Sequence, residues 1–183
     1  MKIINNAGED VAAGEIGELI TRGPYTIRGY YKAPDHNAKV FDSEGFYHSG
    51  DLVRRNDNGY LTVVGRDKDQ INRGGEKIAA EEIENLLLKH EQIMHSALVS
   101  MPDSMMGEKS CAFIVPKAAG HGMKSIMLRK YLRGLGVADY KVPDRFEFID
   151  SLPLTPVGKP NKVVLREEIR QRLQSNSELD KTL

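Results

Sequence analysis

The chain has 183 residues, 40% hydrophobic and 28% charged, which excludes global disorder and allows one domain or two small ones. Lys plus Arg number 26 and Asp plus Glu number 26, so the charge carries no overall nucleic-acid or membrane footprint, and neither is expected as a partner. The single Cys111 forms no internal disulfide, which fits a reducing cytoplasm, and no stretch approaches the roughly 20 apolar residues of a membrane helix.

No signal peptide opens the chain. Met1-Lys2-Ile3-Ile4 reads as a strand entered directly, so the chain is expected to begin inside a larger protein. Lys2 to Ile4 and Ile16 to Thr21 read as short strands around the turn-forming run Asn5 to Asp10. Pro34 to Val40 suits one or two helical turns with proline in the first. Asp42 to Gly45 is a turn. Asp57-Asn58-Gly59 predicts a hairpin between Leu52–Arg55 and Tyr60–Val64. Residues 1–66 are thus β-rich, glycine-punctuated and short of large apolar residues for a core of their own.

The texture changes after Gly65-Arg66. Ala79 to His90 is an amphipathic helix, with Ala79, Ala80, Ile83, Leu86 and Leu87 at helical spacing and Glu81, Glu82 and Glu84 near its positive end. Ile93 to Met101 and Ser110 to Val115 read as strands, and Cys111 in the second run reads as a buried structural thiol. Ala118 to Gly122 is a loop. Ser125 to Arg133 is a helix stopped by Gly134. Arg145 to Ile149 alternates like a strand. Pro153 to Pro160 is a loop, Lys162 to Leu173 a terminal helix, and Ser175 to Leu183 a fraying tail. The expected class is α+β: a small C-terminal domain with a short sheet flanked by helices, preceded by a β-rich segment.

Several familiar motifs fail. Gly158-Lys159 is no phosphate loop, because Pro153 and Pro160 stand where that motif needs Gly and Ser or Thr. Gly134-Leu135-Gly136 lacks the third glycine of a dinucleotide fingerprint, Asp139 standing there. The five histidines, at 36, 48, 90, 95 and 121, show no paired metal spacing, and no metal ligand is assigned. No Gly-x-Ser-x-Gly elbow occurs.

Three places remain, each with two readings. Asp51, in Ser49-Gly50-Asp51, is a turn residue or a carboxylate that accepts both hydroxyls of a ribose diol. Gly74-Gly75, in Asn72-Arg73-Gly74-Gly75-Glu76-Lys77, is a hairpin turn or a place where backbone approaches a ligand. Lys159, between Thr155-Pro156-Val157-Gly158 and Pro160-Asn161, is a solvated surface cation or one held for an anion.

Gly29-Tyr30-Tyr31, Tyr47 to Leu52, Gly65 to Glu84 and Pro153 to Lys159 occur in that order. Order and spacing resemble the C-terminal part of the adenylate-forming enzymes: acyl- and aryl-CoA synthetases, peptide-synthetase adenylation domains and luciferases. Asp69 to Glu82 resembles the aryl-acid ligases of siderophore synthesis, the 2,3-dihydroxybenzoate–AMP ligases of the enterobactin type. The resemblance runs from the first strand to about Leu173.

It implies an enzyme that makes an aryl-adenylate from a small aromatic carboxylic acid and ATP with Mg2+, then passes the acyl group to the phosphopantetheine thiol of an aryl carrier protein. It implies that residues 1–66 are the end of the large adenylation domain and 67–183 the mobile small domain, with a hinge at Lys68. Asp51 then matches the ribose-binding carboxylate, Arg66 and Lys68 lie on the nucleotide side, and Lys159 matches the catalytic lysine of adenylation. Gly74 and Gly75 match the loop lining the pantetheine tunnel, with Arg73, Lys77 and Lys109 as contacts for the carrier protein or the pantetheine phosphate. Ser49 stands where most of the superfamily has Thr. The family's phosphate loop and aryl pocket precede the matched region, so the segment alone is expected to lack adenylation activity, and Mg2+ and most of ATP are expected to bind elsewhere in the enzyme. Salicylate as the acid, CoA as the acceptor, and a non-catalytic carrier-binding module are the alternatives.

Overall fold

The computed structural model describes residues 1–120 and 122–179. His121, in the expected loop, and residues 180–183, in the expected fraying tail, lie outside the described residues. The chain divides into two compact units, one ending at Lys68 and the other starting at Asp69.

The first unit holds β1 (Lys2–Ile4), β2 (Ile16–Thr21), α1 (Pro34–Val40), β3 (Tyr47–Arg55) and β4 (Leu61–Arg66). The strands form an antiparallel sheet in the order β1-β2-β3-β4. The Asn58-Gly59 hairpin joins β3 to β4 as expected, closed by the Gly59 N–H on the Asn56 carbonyl at 2.9 Å. The strand it extends is longer than expected: β3 starts at Tyr47, five residues before the predicted Leu52. Its first half is polar and carries no alternation, but pairing with β2, His48 opposite Ile20, makes it a strand. The core is small, with Ile4, Ile20 and Phe46 clustered and Ile3, Leu52 and Val53 also buried.

The second unit is a five-stranded sheet with helices on both faces. A hairpin of β5 (Gln70–Arg73) and β6 (Glu76–Ala79) runs straight into α2 (Ala80–Leu88). The long strands β7 (Ile93–Asp103) and β8 (Gly107–Pro116) follow, then α3 (Ser125–Gly134), β9 (Arg145–Phe148) and α4 (Lys162–Leu179). The strand order is β6-β5-β8-β7, and β9 lies parallel to β8. Leu98, Ala112 and Ile114 face α2 and α3, packing on Ile83, Leu87, Leu128 and Leu132. Ala97, Val99, Cys111, Phe113 and Val115 face the other way, onto Leu165 and Ile169 of α4. Both faces of β7 and β8 are covered, which explains why they read as continuous apolar runs. The outer edge of β7 is blunted by α2: Glu84 accepts the Leu98 N–H at 2.6 Å and ion-pairs with Lys162 at 2.7 Å.

Two helix ends differ from expectation. α3 includes Gly134, and Gly136 ends it at φ 79°. There the Gly136 N–H reaches the Arg133 carbonyl and the Val137 N–H the Leu132 carbonyl, a Schellman cap. α4 continues past Leu173 to Leu179, so the first residues of the expected frayed tail, Ser175 onward, are helical. Its apolar stripe of Leu165, Ile169 and Leu173 does end where the shorter helix was expected to stop.

Candidate functional site

In the first unit, β2, α1 and the start of β3 enclose an open cavity of about 570 Å³. Glu18, Tyr30, His36, Tyr47, Ser49, Arg66 and Lys68 are among its lining residues. Asp51 and Arg66 face each other across the β3–β4 register, and the Arg66 Nε–H donates to Asp51 Oδ1 at 2.8 Å. Only one carboxylate oxygen and one guanidinium nitrogen are used. Asp51 Oδ2 accepts no protein hydrogen bond among the described residues, and the terminal nitrogens of Arg66 are likewise open. An acceptor for hydroxyls therefore lies beside donors for an anion.

Asp51 follows a bulge in β3, where the register against β2 shifts and Gly50 takes φ 68°, and not a turn; the bulge is braced by side chains. Glu18 accepts the Gly50 N–H on Oε1 at 3.0 Å, and its Oε2 meets His48 Nδ1 at 3.0 Å. The Ser49 hydroxyl donates to the Leu19 carbonyl at 2.7 Å and accepts the Asp51 N–H at 3.1 Å. A threonine hydroxyl could make the same two bonds. On the cavity wall the Tyr30 and Tyr47 hydroxyls lie 3.0 Å apart, and the Tyr30 hydroxyl raises the pKa of Tyr47.

In the second unit, Gly74 and Gly75 form the tip of the β5–β6 hairpin at φ 60° and 98°. Both values lie in the left-handed region, and a Cβ on Gly74 would come within 2.7 Å of Met106 Sδ. The hairpin-turn reading of the double glycine is thus its local structure. Lys77 is exposed and has no side-chain partner among the described residues.

Two of the expected carrier contacts, Arg73 and Lys109, pair with carboxylates inside the unit. Arg73 turns away from solvent and grips Asp144, with Nη2 at 2.8 Å and Nε at 3.0 Å from its carboxylate oxygens. Burial opposes ionisation of Asp144, but Arg73 and the Ser110 N–H outweigh it and hold its carboxyl below the usual range. Lys109 pairs with Asp103 at 2.6 Å, which, with the Met106 and Met105 N–H groups, pulls the Asp103 carboxyl down to about 2.

Lys159 stands on a tight loop between β9 and α4. Leu154 bridges to Pro160, the Thr155 N–H donates to the Lys159 carbonyl at 2.7 Å, and the Lys159 N–H donates to Thr155 Oγ1 at 3.1 Å. The side chain is exposed and has no partner among the described residues. Within its unit it is not brought against Arg73, Lys77 or Lys109.

Glu18, His48, Asp144 and Ser110 were not singled out from sequence. Glu18 and His48 sit on strands 30 residues apart, and Asp144 lies 71 residues from Arg73, distances over which no local pattern operates. Among the described residues no group of three His, Cys, Asp or Glu side chains could hold a metal, and no helix is long and apolar enough to cross a membrane. The acceptor and donors at Asp51 and Arg66 fit a nucleoside sugar and its phosphate; nothing comparable is gathered for Mg2+.

Residues 82–159 match the family described as the AMP-binding enzyme C-terminal domain. The chain is 58% identical over 165 residues to "Enterobactin synthase component E" of Escherichia coli, covering 90% of this chain and 30% of that protein. It is 54% identical over 173 residues to "2,3-dihydroxybenzoate-AMP ligase" of Bacillus subtilis, covering 94% of this chain and 32% of that one. Among solved structures it resembles the o-succinylbenzoate CoA synthetase of Bacillus subtilis in complex with an acyl-adenylate intermediate. That match has a TM-score of 0.81 and 28% identity, over 90% of this chain and 33% of the other. The chain therefore spans about a third of the length of the relatives it matches.

Proposed function

We propose that the chain, whose residues 82–159 match the AMP-binding enzyme C-terminal domain, is the C-terminal part of an adenylate-forming aryl-acid ligase of siderophore biosynthesis. That ligase activates 2,3-dihydroxybenzoate with ATP and passes the acyl group to the phosphopantetheine thiol of an aryl carrier protein. Enzymes of this family use ATP and Mg2+. The choice of acid and acceptor rests on likeness to the named ligases. The observation that carries the nucleotide half is the Asp51–Arg66 pair, half engaged with itself and open to solvent on its other edges.

In the first step a carboxylate oxygen of the aryl acid attacks the α-phosphorus, and the bond to pyrophosphate breaks. Two anions must approach, and the Lys159 ammonium offsets their repulsion. Asp51 Oδ2 accepts the ribose hydroxyls, and Arg66 holds Asp51 in place while its free nitrogens face the phosphate side. In the second step the pantetheine sulfur attacks the acyl carbon and AMP leaves. The Gly74-Gly75 tip meets the pantetheine arm on its Gly75 side, where nothing lies within 4 Å of the absent Cβ, while Met106 fills that space at Gly74, and Lys77 offers a cation to the arm's phosphate or to the acidic carrier. Lys68 is the pivot between the two steps; it is exposed and lies at the boundary of the two compact units. Arg73 and Lys109 act from within the domain, each held by a carboxylate.

The test is pyrophosphate exchange by the intact ligase with 2,3-dihydroxybenzoate, salicylate and benzoate, followed by thioester formation with holo carrier protein or CoA. The expected result is fastest exchange with 2,3-dihydroxybenzoate, transfer to the carrier, and no exchange by the 183-residue chain alone. Exchange with none of these acids, or transfer to CoA as fast as to the carrier, would overturn the proposal.

A further inference from the structure

β5 joins the rest of its sheet through a single residue pair, Arg73 with Gly107. β9 occupies the same edge of β8 from Cys111 onward. Residues 108–110 of β8 therefore face a gap between two strand ends. Four paired positions hold the hairpin's own strands together, but one pair against β8 does little to fix its tilt. The buried Ile71 and Ile78 anchor the base of the hairpin in the core, and side-chain and tip contacts fix its far end. The Asn72 N–H donates to Glu108 Oε2 at 2.9 Å and the Gly74 N–H to the Met106 carbonyl at 3.0 Å.

Asp144 fills the gap itself. Its Oδ2 accepts the Ser110 N–H at 3.0 Å and the Ser110 hydroxyl at 3.2 Å, and its carbonyl accepts a bond from Arg129 of α3. The same carboxylate takes the fork of Arg73, the residue just before Gly74. The Asp144 and Arg73 side chains keep only 16% and 23% of their exposure. A planar, two-pronged ion pair fixes direction as well as distance. The tip that follows is held by the Gly74 N–H on the Met106 carbonyl and by the Gly75 N–H on Asn72 Oδ1 at 3.0 Å, so Arg73 fixes the strand end from which this closed turn projects.

We propose that Asp144, braced by Ser110 and Arg129, is a positioning residue for thiol transfer: through Arg73 it sets the angle at which the Gly74-Gly75 tip meets the pantetheine arm. This rests on the transfer role assigned to that tip above. Arg73 then serves transfer from inside the domain, and carrier contact falls to exposed groups such as Lys77.

The experiment uses the intact ligase with holo carrier protein and the variants Asp144→Asn, Arg73→Ala and both together. Asn keeps the size and an acceptor for Ser110 but removes the charge that holds Arg73. The expected result is a transfer kcat about tenfold lower, from a small misplacement of the tip, with carrier KM and pyrophosphate exchange unchanged. The three variants should be equally impaired, because both residues act through one link. Hydrogen exchange at the Gly74 and Gly75 amides should speed up in each.

A raised carrier KM in Arg73→Ala alone would mean that Arg73 touches the carrier directly and would overturn the proposal. So would unchanged amide exchange in Asp144→Asn, or an equal loss of adenylation. Faster amide exchange with undiminished transfer would overturn it through its premise, by showing that the tip does not serve transfer. Arg73→Lys, which keeps the charge but not the fork, carries the same test if Asp144→Asn does not fold.

Discussion

Lys159→Ala separates chemistry from folding. The loop around Lys159 is built without its side chain: the Thr155 N–H bonds its carbonyl, its own N–H bonds Thr155 Oγ1, and the Gly158 and Asn161 N–H groups bond Thr155 and Pro153. Alanine keeps every one of these bonds. The ammonium is exposed and unpaired among the described residues, so its removal breaks no contact. Stability should change by less than about 0.5 kcal/mol, the range of surface substitutions away from special features. For a chain of this size that is a melting shift below about 2 °C.

Adenylation should respond on another scale. Loss of one preorganised charge at the site of phosphoryl attack costs about a hundredfold or more, or about 2.7 kcal/mol of barrier. Pyrophosphate exchange by the intact ligase measures that step, and single-turnover transfer from preformed aryl-adenylate to holo carrier measures the other. The expected pattern is a collapse of exchange, transfer within about twofold of the parent, and an unchanged melting curve. Equal loss in both half-reactions would refute the assignment of Lys159 to adenylation alone. A melting point lowered by several degrees would refute the claim that the side chain does nothing for the fold.

Lys68→Pro, which fixes φ at the proposed pivot, should hold the enzyme in one arrangement and spare one half-reaction while suppressing the other; unchanged rates for both would remove Lys68 from that role. Burial pushes the Cys111 thiol up to about 12, so native protein at pH 8 should resist iodoacetamide and react only after denaturation; rapid labelling of native protein would contradict its packing against α4. The Asp103 carboxyl is held at about 2 by Lys109 and the Met106 and Met105 N–H groups, below the ordinary 3.8. A depressed carboxyl contributes its stability in full above about pH 3.8 and loses it as pH falls through about 2. Asp103→Asn should therefore lower the denaturant midpoint at neutral pH, and the gap to the parent should close between those two values. A gap independent of pH would show that the pair with Lys109 is not its source.

What sequence made legible follows from where the periodicities are strong. Ala80, Ile83 and Leu87 declare α2 because one helix face is buried, and Cys111 to Val115 declare β8 although both faces are buried. The start of β3 carries no strand signal because His48, Ser49 and Gly50 are polar or turn-forming. They are held in the sheet by pairing with β2 and by Glu18, whose spacing from them no local rule connects. At the proposed nucleotide site the residue types of Asp51 and Arg66 were legible through resemblance, while their contact is a consequence of cross-strand register.

Arg73 is the instructive case. Strand alternation already puts it on the same side of β5 as the buried Ile71. A guanidinium turned inward demands a carboxylate, since an unpaired buried charge is among the costliest things a fold can contain. The period of two thus predicts that a partner exists, and only the gap that β5 and β9 leave along β8 determines that the partner is Asp144. The same gap makes the pair a tether for the hairpin as well as a satisfied charge, which is why its loss should be felt at Gly74 and Gly75 before it is felt in the core.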